Sequence, residues 1–440
     1  MIELNRRKFL GTTATFAAGL LVSFYLPGKL GRMLAHAAEG PAAAPMQPNA
    51  FIHIAPDNSI TMVINKLEMG QGVNTSMAQL IAEELECDWT KIKSISAPVD
   101  AAYNHTVFGM QMTGGSTALA SSWEQHRKLG AGMREMLKTA AAKKWGVPVS
   151  AVKAEKGFVL HAGKKLSYGE LSDEAGKLPF PENPPLKSAK DFKVIGKSMK
   201  RVDAAAKSNG TAEFGIDVRL PQMLYVMVAR PPITGAKVAG YNEAAARAVK
   251  GVSDVVRFGE RVAVLASNTH SARKGRDALE TRWNIPEAAR VNSDGLMANL
   301  RAQAPKGINV VSRGEVDAVM AKAANVIEAE YEFPFLAHAA MEPMNCTINY
   351  DGKSAALWSG HQMPTTDRAT AATILGLDPE KVKVNTVYAG GSFGRRASKT
   401  SDYVVEAAEL VKIVKKPIKV VWTREDDMQG GYYRPINYHK

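Results

Sequence analysis

Three glycine-rich loops, set where strand-like and helical runs begin or end, constrain this chain more than anything else in its sequence. They read Glu68-Met69-Gly70-Gln71-Gly72, Met112-Thr113-Gly114-Gly115-Ser116-Thr117-Ala118 and Ala389-Gly390-Gly391-Ser392-Phe393-Gly394-Arg395-Arg396. Glycine reaches positive φ without a Cβ penalty and lets backbone N–H groups approach a ligand closely. A helix that starts just after such a loop offers unpaired N–H groups and a partial positive charge. Gln71, between two glycines, can donate and accept towards a polar ring. The hydroxyls and amides of Thr113, Ser116 and Thr117 suit a phosphate. Arg395 and Arg396 suit a phosphate or a redox partner, or equally form a plain surface pair. Each loop alone is equally well a tight strand-to-helix turn. Familiar nucleotide fingerprints do not explain them: GxGxxG is absent, and Gly196-Lys197-Ser198 has Asp191 where a P-loop needs its first glycine.

The surrounding pattern is mixed. Phe51–Ile54 and Ile60–Ile64 flank Pro56-Asp57-Asn58, which predicts a hairpin. Val73, Met77, Leu80, Ile81 and Leu85 fall at helical spacing, so a helix begins just after Gly72. A second runs from about Thr117 to Trp145 and is closed by Gly146 and Pro148. Four prolines between Pro179 and Pro185 mark a boundary loop. Strands are expected at Met223–Ala229, Val262–Ala266, Val326–Phe333, Cys346–Tyr350, Val382–Tyr388 and Ile418–Trp422, with a helix over Asp402–Val414. The fold class is therefore α+β, a mixed α/β chain.

The N-terminus carries a second kind of signal. Asn5-Arg6-Arg7-Lys8-Phe9-Leu10-Gly11 precedes a weakly apolar run to Leu26, closed by Pro27. This is the pattern of a twin-arginine leader, with cleavage expected near Ala37 and export to the periplasm by the Tat translocase. An ordinary Sec signal or an N-terminal anchor is the competing reading, but a spanning helix needs about 20 predominantly apolar residues. Tat substrates commonly receive a cofactor before export. The formal charge is +13, and residues 1–37 hold five Lys/Arg against one Glu, so about +9 stays with the rest. That charge is scattered, with no basic stripe carrying interleaved aromatics, and no nucleic-acid partner is expected. The two cysteines, Cys87 and Cys346, form no CxxC pair and cannot ligate an iron–sulfur cluster. They make one disulfide or, as expected here, two buried thiols.

Taken together, these motifs resemble the large, molybdopterin-binding subunits of the xanthine dehydrogenase/aldehyde oxidase superfamily, in the exported branch typified by isoquinoline 1-oxidoreductase beta subunits. In that branch EMGQG stands near the N-terminus, as Glu68–Gly72 does. Thr113–Ala118 is similar to a pterin-dinucleotide loop. Gly210–Asp217 with Leu220–Leu224 is similar to the start of an α/β hammerhead domain. Gly314–Asp317, His338–Pro343 and Gly390–Arg396 are similar to segments around the metal. The resemblance implies a leader at 1–37, a linker at 38–50, an N-terminal molybdopterin-binding segment at 51–200, an inserted hammerhead domain at 201–300, and a first molybdopterin-binding domain at 310–440, C-terminally incomplete.

It further implies molybdenum on a molybdopterin, in the cytosine dinucleotide form, with no direct protein ligand to the metal. The residues expected at the cofactor are Gly70, Gln71, Gly72, Thr113, Gly114, Gly115, Ser116, Thr117, Gly391, Ser392, Phe393, Gly394 and Arg395. Leu336 stands where several relatives have a glutamine. The implied reaction oxidises N-heterocycles or aldehydes, a small-molecule substrate, with oxygen from water. Electrons would pass to a small [2Fe-2S] subunit and on to an acceptor such as a cytochrome. The catalytic glutamate of the family lies beyond Lys440, so this chain alone is expected to be inactive, its remainder truncated or separately encoded. An exported, non-catalytic binding or assembly protein is the alternative. His338 and Glu342, four apart, give a weaker metal-site pattern, and Glu68 a weaker catalytic-acid one.

Overall fold

A computed structural model describes residues 20–24 and 49–440. The twin arginines Arg6 and Arg7 and the cleavage site near Ala37 lie outside the described residues. The described residues form two compact units, the first from those up to residue 220 with 346–415, the second from residues 221–345 and 416–440.

In the first unit, β1 (Leu20–Phe24), β2 (Asn49–Ile54), β3 (Ile60–Ile64) and β4 (Ile92–Ser96) form one sheet in that order. The expected hairpin is β2–β3, antiparallel with Ile52 opposite Met62, whereas β3 and β4 run parallel. Helix α1 (Val73–Leu85) and helix α2 (Ala118–Trp145) cover the sheet. Phe51, Ile54, Met62, Met77, Ile81, Leu129, Met133 and Leu137 are all buried in one core, as the spacing of apolar residues on both helices predicts. Gly146, at φ 69°, ends α2 with its N–H on the Ala142 and Lys143 carbonyls. A three-stranded meander, β5 (Lys153–Glu155), β6 (Phe158–His161) and β7 (Lys164–Ser167), leads into helix α3 (Tyr168–Gly176), which is capped by a reciprocal Ser167–Glu170 box.

The proline run after α3 is packed against the unit. Phe180 seats over Gly132, where an added Cβ would collide with its ring. The Arg134 guanidinium donates to the Pro185 carbonyl at 2.6 Å. Beneath it Glu84, fully buried, accepts from Arg127 at 2.7 and 2.9 Å. Neighbouring Glu83 accepts from Lys187 Nζ and from the backbone of Lys193, Val194 and Ile195. The later part of the unit pairs Asn345–Tyr350 antiparallel with Ala355–Ser359, which is parallel to Val382–Thr386, with helices Pro364–Leu375 and Asp402–Val414 alongside.

The second unit places Leu224–Ala229 between Arg261–Ala266 (antiparallel) and Ile418–Val421 (parallel), with Val252–Phe258 on the outer edge. Helix Thr269–Ala278 is tied down through Arg276 to Asp426 at 2.7 Å. The strand expected over Val326–Phe333 is realised only at Tyr331–Phe333, paired with Asn437–His439. Ile327 remains 92% exposed; an apolar run becomes a strand only where a partner edge and a face to bury exist. His338 and Glu342 lie in irregular backbone rather than one turn apart on a helix, and Glu342 accepts from Asn345.

Both cysteines are free thiols, Cys346 buried as expected and Cys87 only half-buried at the edge of the core. Burial pushes Cys87 up to about 12 and raises Cys346 as well. Because the thiolate is the reactive form, neither is expected to react with an aromatic disulfide reagent within minutes in the native protein. Both should titrate fully in denaturant, and rapid native labelling of either would contradict this packing.

Candidate functional site

The three glycine loops, far apart in sequence, converge in the first unit. Leu67, one residue before the first loop, donates its N–H to the Thr113 hydroxyl of the second at 2.8 Å. Ala389, at the head of the third, donates to the Glu68 carbonyl at 3.1 Å. The second and third are joined through Gln362, a residue that no sequence motif marks. Gln362 donates from Nε2 to the Thr113 carbonyl at 2.7 Å and accepts the Ser392 hydroxyl at Oε1, at 2.6 Å. Its own carbonyl takes the Thr113 N–H at 2.8 Å. Ser392 in turn receives the Arg396 N–H at 3.0 Å. Each of these groups is buried, so the chain of bonds holds the loops in register.

The first loop is closed on itself. Gly70 and Gly72 take φ of 107° and 80°, which wraps the loop around the Glu68 carboxylate. That carboxylate accepts from Gly70 and Gly72 N–H at 3.0 and 3.2 Å, and from Asn74 N–H at 3.2 Å. The free amides expected at the start of α1 are thus already matched by an internal anion. Arg201 and Lys207 add ion pairs to Glu68 at 3.1 and 3.2 Å, and both also hold Asp203. Gln71 bridges its own loop, accepting from Met69 N–H and donating to the Leu67 carbonyl, both at 2.8 Å. Glu68 is therefore an organiser of the loop rather than a catalytic acid.

The second loop is more open. Gly115 and Ser116 lie at φ 61° and 55°, and Gly115 is exposed. Thr117 begins α2 without a side-chain cap. Its hydroxyl donates to the Gly114 carbonyl at 2.8 Å and meets His105 Nε2 at 2.7 Å. The first-turn amides of a 28-residue helix are therefore left uncapped by the Thr117 side chain. In the third loop Gly391, Phe393 and Gly394 all have positive φ, and Phe393 stands 73% exposed. Arg395 turns inward, making a two-pronged pair with Asp402 at 2.6 and 3.0 Å, and Arg396 is also buried. The plain-surface reading of this arginine pair is overturned, because both residues are below 3% exposure.

Charge at the site follows from these contacts. Burial would raise the Glu68 carboxyl, but the Asn74 N–H, Lys207 and the Gly72 and Gly70 N–H groups outweigh it and hold it low. Asp203 is likewise brought down to about 2 by Arg201 and Lys207 against its burial. A carboxylate depressed on folding stabilises the fold above its unfolded value, near about 4, and that stabilisation is lost as pH falls through the folded value. The first loop is therefore expected to loosen between about pH 4 and pH 2, read as a rise in amide exchange at Gly70 and Gly72 ahead of the β2–β3 hairpin. Simultaneous exchange of both regions would contradict it.

Positive-φ glycine backbone, an uncapped long-helix N-terminus and protruding Phe393 fit a polar, anionic organic ligand held without Cys or His ligation. Among the described residues no group of three or more His, Cys, Asp and Glu could hold a metal ion directly. Such a fold and site define a mixed α/β cofactor-binding protein. Residues 26–219 and residues 300–438 each match a molybdopterin cofactor-binding domain. The chain is 31% identical to the beta subunit of isoquinoline 1-oxidoreductase from Brevundimonas diminuta, over 98% of its own length and 61% of that relative. It is 29% identical to a membrane-bound aldehyde dehydrogenase [pyrroloquinoline-quinone] of Gluconacetobacter polyoxogenes, over 98% and 57%. It is 28% identical to a nicotinate dehydrogenase subunit from Pseudomonas putida, over 88% and 34%. The chain belongs to the molybdopterin-binding subunits of the xanthine oxidase family. It spans less than two thirds of each of these three relatives.

Proposed function

We propose that this chain forms part of an exported molybdenum hydroxylase that oxidises an N-heterocycle or an aldehyde. The observation that carries the reading is the convergence of the three glycine loops, the second and third joined through Gln362 into one seat built from Thr113–Thr117 and Gly391–Gly394. The names of the relatives support the two substrate classes. A bound molybdopterin, in our reading the cytosine dinucleotide, would supply the redox-active metal and the oxygen-transfer chemistry. The chain's own residues bind and orient it: uncapped amides at the start of α2 for phosphate, and the third loop for the pterin–metal end. Glu68 acts by shaping the first loop, and Gln71, which braces that loop from an exposed position, stands with Gly70 and Gly72 for the pterin in our reading. A small [2Fe-2S] subunit and a downstream acceptor such as a cytochrome complete the proposed electron path.

Production together with an iron–sulfur partner, followed by metal analysis and pterin fluorescence after oxidation, tests the reading. Stoichiometric molybdenum and pterin are expected. Their absence from the folded protein favours an exported binding or assembly protein instead. Gln362→Leu is expected to lower retained pterin at least tenfold by freeing Thr113 from Ser392, since a misplaced positioning group costs about that much or more. Unchanged retention would remove Gln362 from the seat.

We also propose delivery to the periplasm by the twin-arginine route. Replacing Arg6 and Arg7 by lysines should keep the protein in the cytoplasmic fraction with its leader attached, and normal export of that variant would sink the proposal.

A further inference from the structure

Close behind the first loop lies a cavity of about 10 Å³, lined among others by Asn65, Lys66, Gln111, His361 and Thr386. Three of these residues carry a buried polar atom with no hydrogen-bond partner in the protein: Asn65 Oδ1, His361 Nε2 and Thr386 Oγ1. Their other polar atoms fix how they stand. Asn65 Nδ2 donates to the Tyr103 carbonyl at 2.9 Å, which turns Oδ1 away as an acceptor. His361 Nδ1 meets Asp367 Oδ2 at 2.8 Å. Asp367 is itself held by the Ser401 hydroxyl at 2.6 Å and the Tyr403 hydroxyl at 3.1 Å. The Lys66 ammonium spends one N–H on the Met112 carbonyl at 3.2 Å and has three to give.

The needs of these groups are of both signs. Asn65 Oδ1 requires a donor, while the Thr386 hydroxyl and the remaining Lys66 N–H groups require an acceptor. An anion offers nothing to Asn65, and a cation is repelled by Lys66. A neutral molecule with two donors and two lone pairs can donate to Asn65 Oδ1, accept from the Thr386 hydroxyl and pair with His361 Nε2 in either tautomer, and the volume matches the roughly 10–15 Å³ that one such molecule needs. Leaving these atoms unmatched would cost about 1–3 kcal/mol for each group.

We propose that this cavity is a dedicated site for a single water molecule, hydrogen-bonded to Asn65, His361 and Thr386, which ties the strand entering the first loop to the residue beside Gln362. Asn65 and Lys66 immediately precede Leu67, whose N–H meets Thr113, and His361 immediately precedes the glutamine that joins the other two loops. The water is thus a positioning element for all three loops, independent of whether a cofactor is bound.

A crystal structure of the protein at about 1.5 Å or better is expected to show one solvent peak within hydrogen-bond distance of all three atoms. A cavity without density there, or density for a larger group or a metal, overturns the proposal. Thr386→Val keeps the side-chain shape and removes the hydroxyl. It is expected to speed amide exchange at Leu67 and Thr113 about tenfold, while Thr386→Ser restores the wild-type rates. If the valine variant exchanges like wild type, the bridging role is overturned even where the water itself is seen.

Discussion

Glu68→Ala is expected to lower the stability of the first unit by about 3 kcal/mol and to empty the cofactor seat. Removing one partner of a buried charge cluster costs about 3–5 kcal/mol. Here the lower end applies, because Arg201 is 39% exposed and can return to water. The larger share comes from the N–H groups of Gly70, Gly72 and Asn74, which lose a common acceptor. Two of those residues are held at positive φ, so the loop has little reason to keep its shape without the carboxylate. Arg201→Gln supplies the contrast: a partly exposed ion pair is worth about 1 kcal/mol or less. Denaturant midpoints of the two variants, with pterin content measured on each, separate the roles. Equal, small effects from both would mean that Glu68 is an ordinary ion-pair residue.

The second large effect is expected at Gly130, in the middle of α2. A Cβ there would fall inside the van der Waals envelope of the Ile81 carbonyl oxygen and within 3.1 Å of Glu84 Cβ, both on α1. Helix propensity favours alanine over glycine by about 1 kcal/mol. The collision outweighs it, because a backbone oxygen cannot step aside as a side chain can. Moving α1 from α2 would also stretch the buried Glu84–Arg127 pair. Gly130→Ala is therefore expected to cost about 3 kcal/mol, at the upper end of overpacking effects. Gly132→Ala, whose nearest collisions are all with the Phe180 ring, a side chain that can give way, should cost clearly less. Thermal or urea unfolding of the pair checks the order, and a stabilised Gly130→Ala variant would refute the close crossing.

Local rules carried much of the architecture. Apolar spacing located α1, α2 and the β2–β3 hairpin, and Gly146 marked the end of α2, because each of these depends on neighbours in sequence. The positions of the glycine loops were equally legible. What joins them was not. Gln362 and His361 sit in a segment with no periodicity, and their partners are up to 249 residues away. Glu68 was visible, but its task depends on Arg201 and Lys207, 133 and 139 residues downstream. Arg395 and Arg396 read equally as phosphate or partner contacts and as a plain surface pair, since arginine is usually exposed; Asp402 and the local packing, which turn Arg395 inward, were not legible. The run at Val326–Phe333 failed the other way: strand-forming composition was present, but only its last three residues found a partner strand.

Because one glutamine side chain serves both Thr113 and Ser392, those two loops cannot shift separately. A ligand reaching across them meets a surface whose freedom was already surrendered when the protein folded. Little further ordering is then charged against the binding equilibrium. The seat should grip both ends of an extended ligand at once, releasing it as a single event rather than end by end.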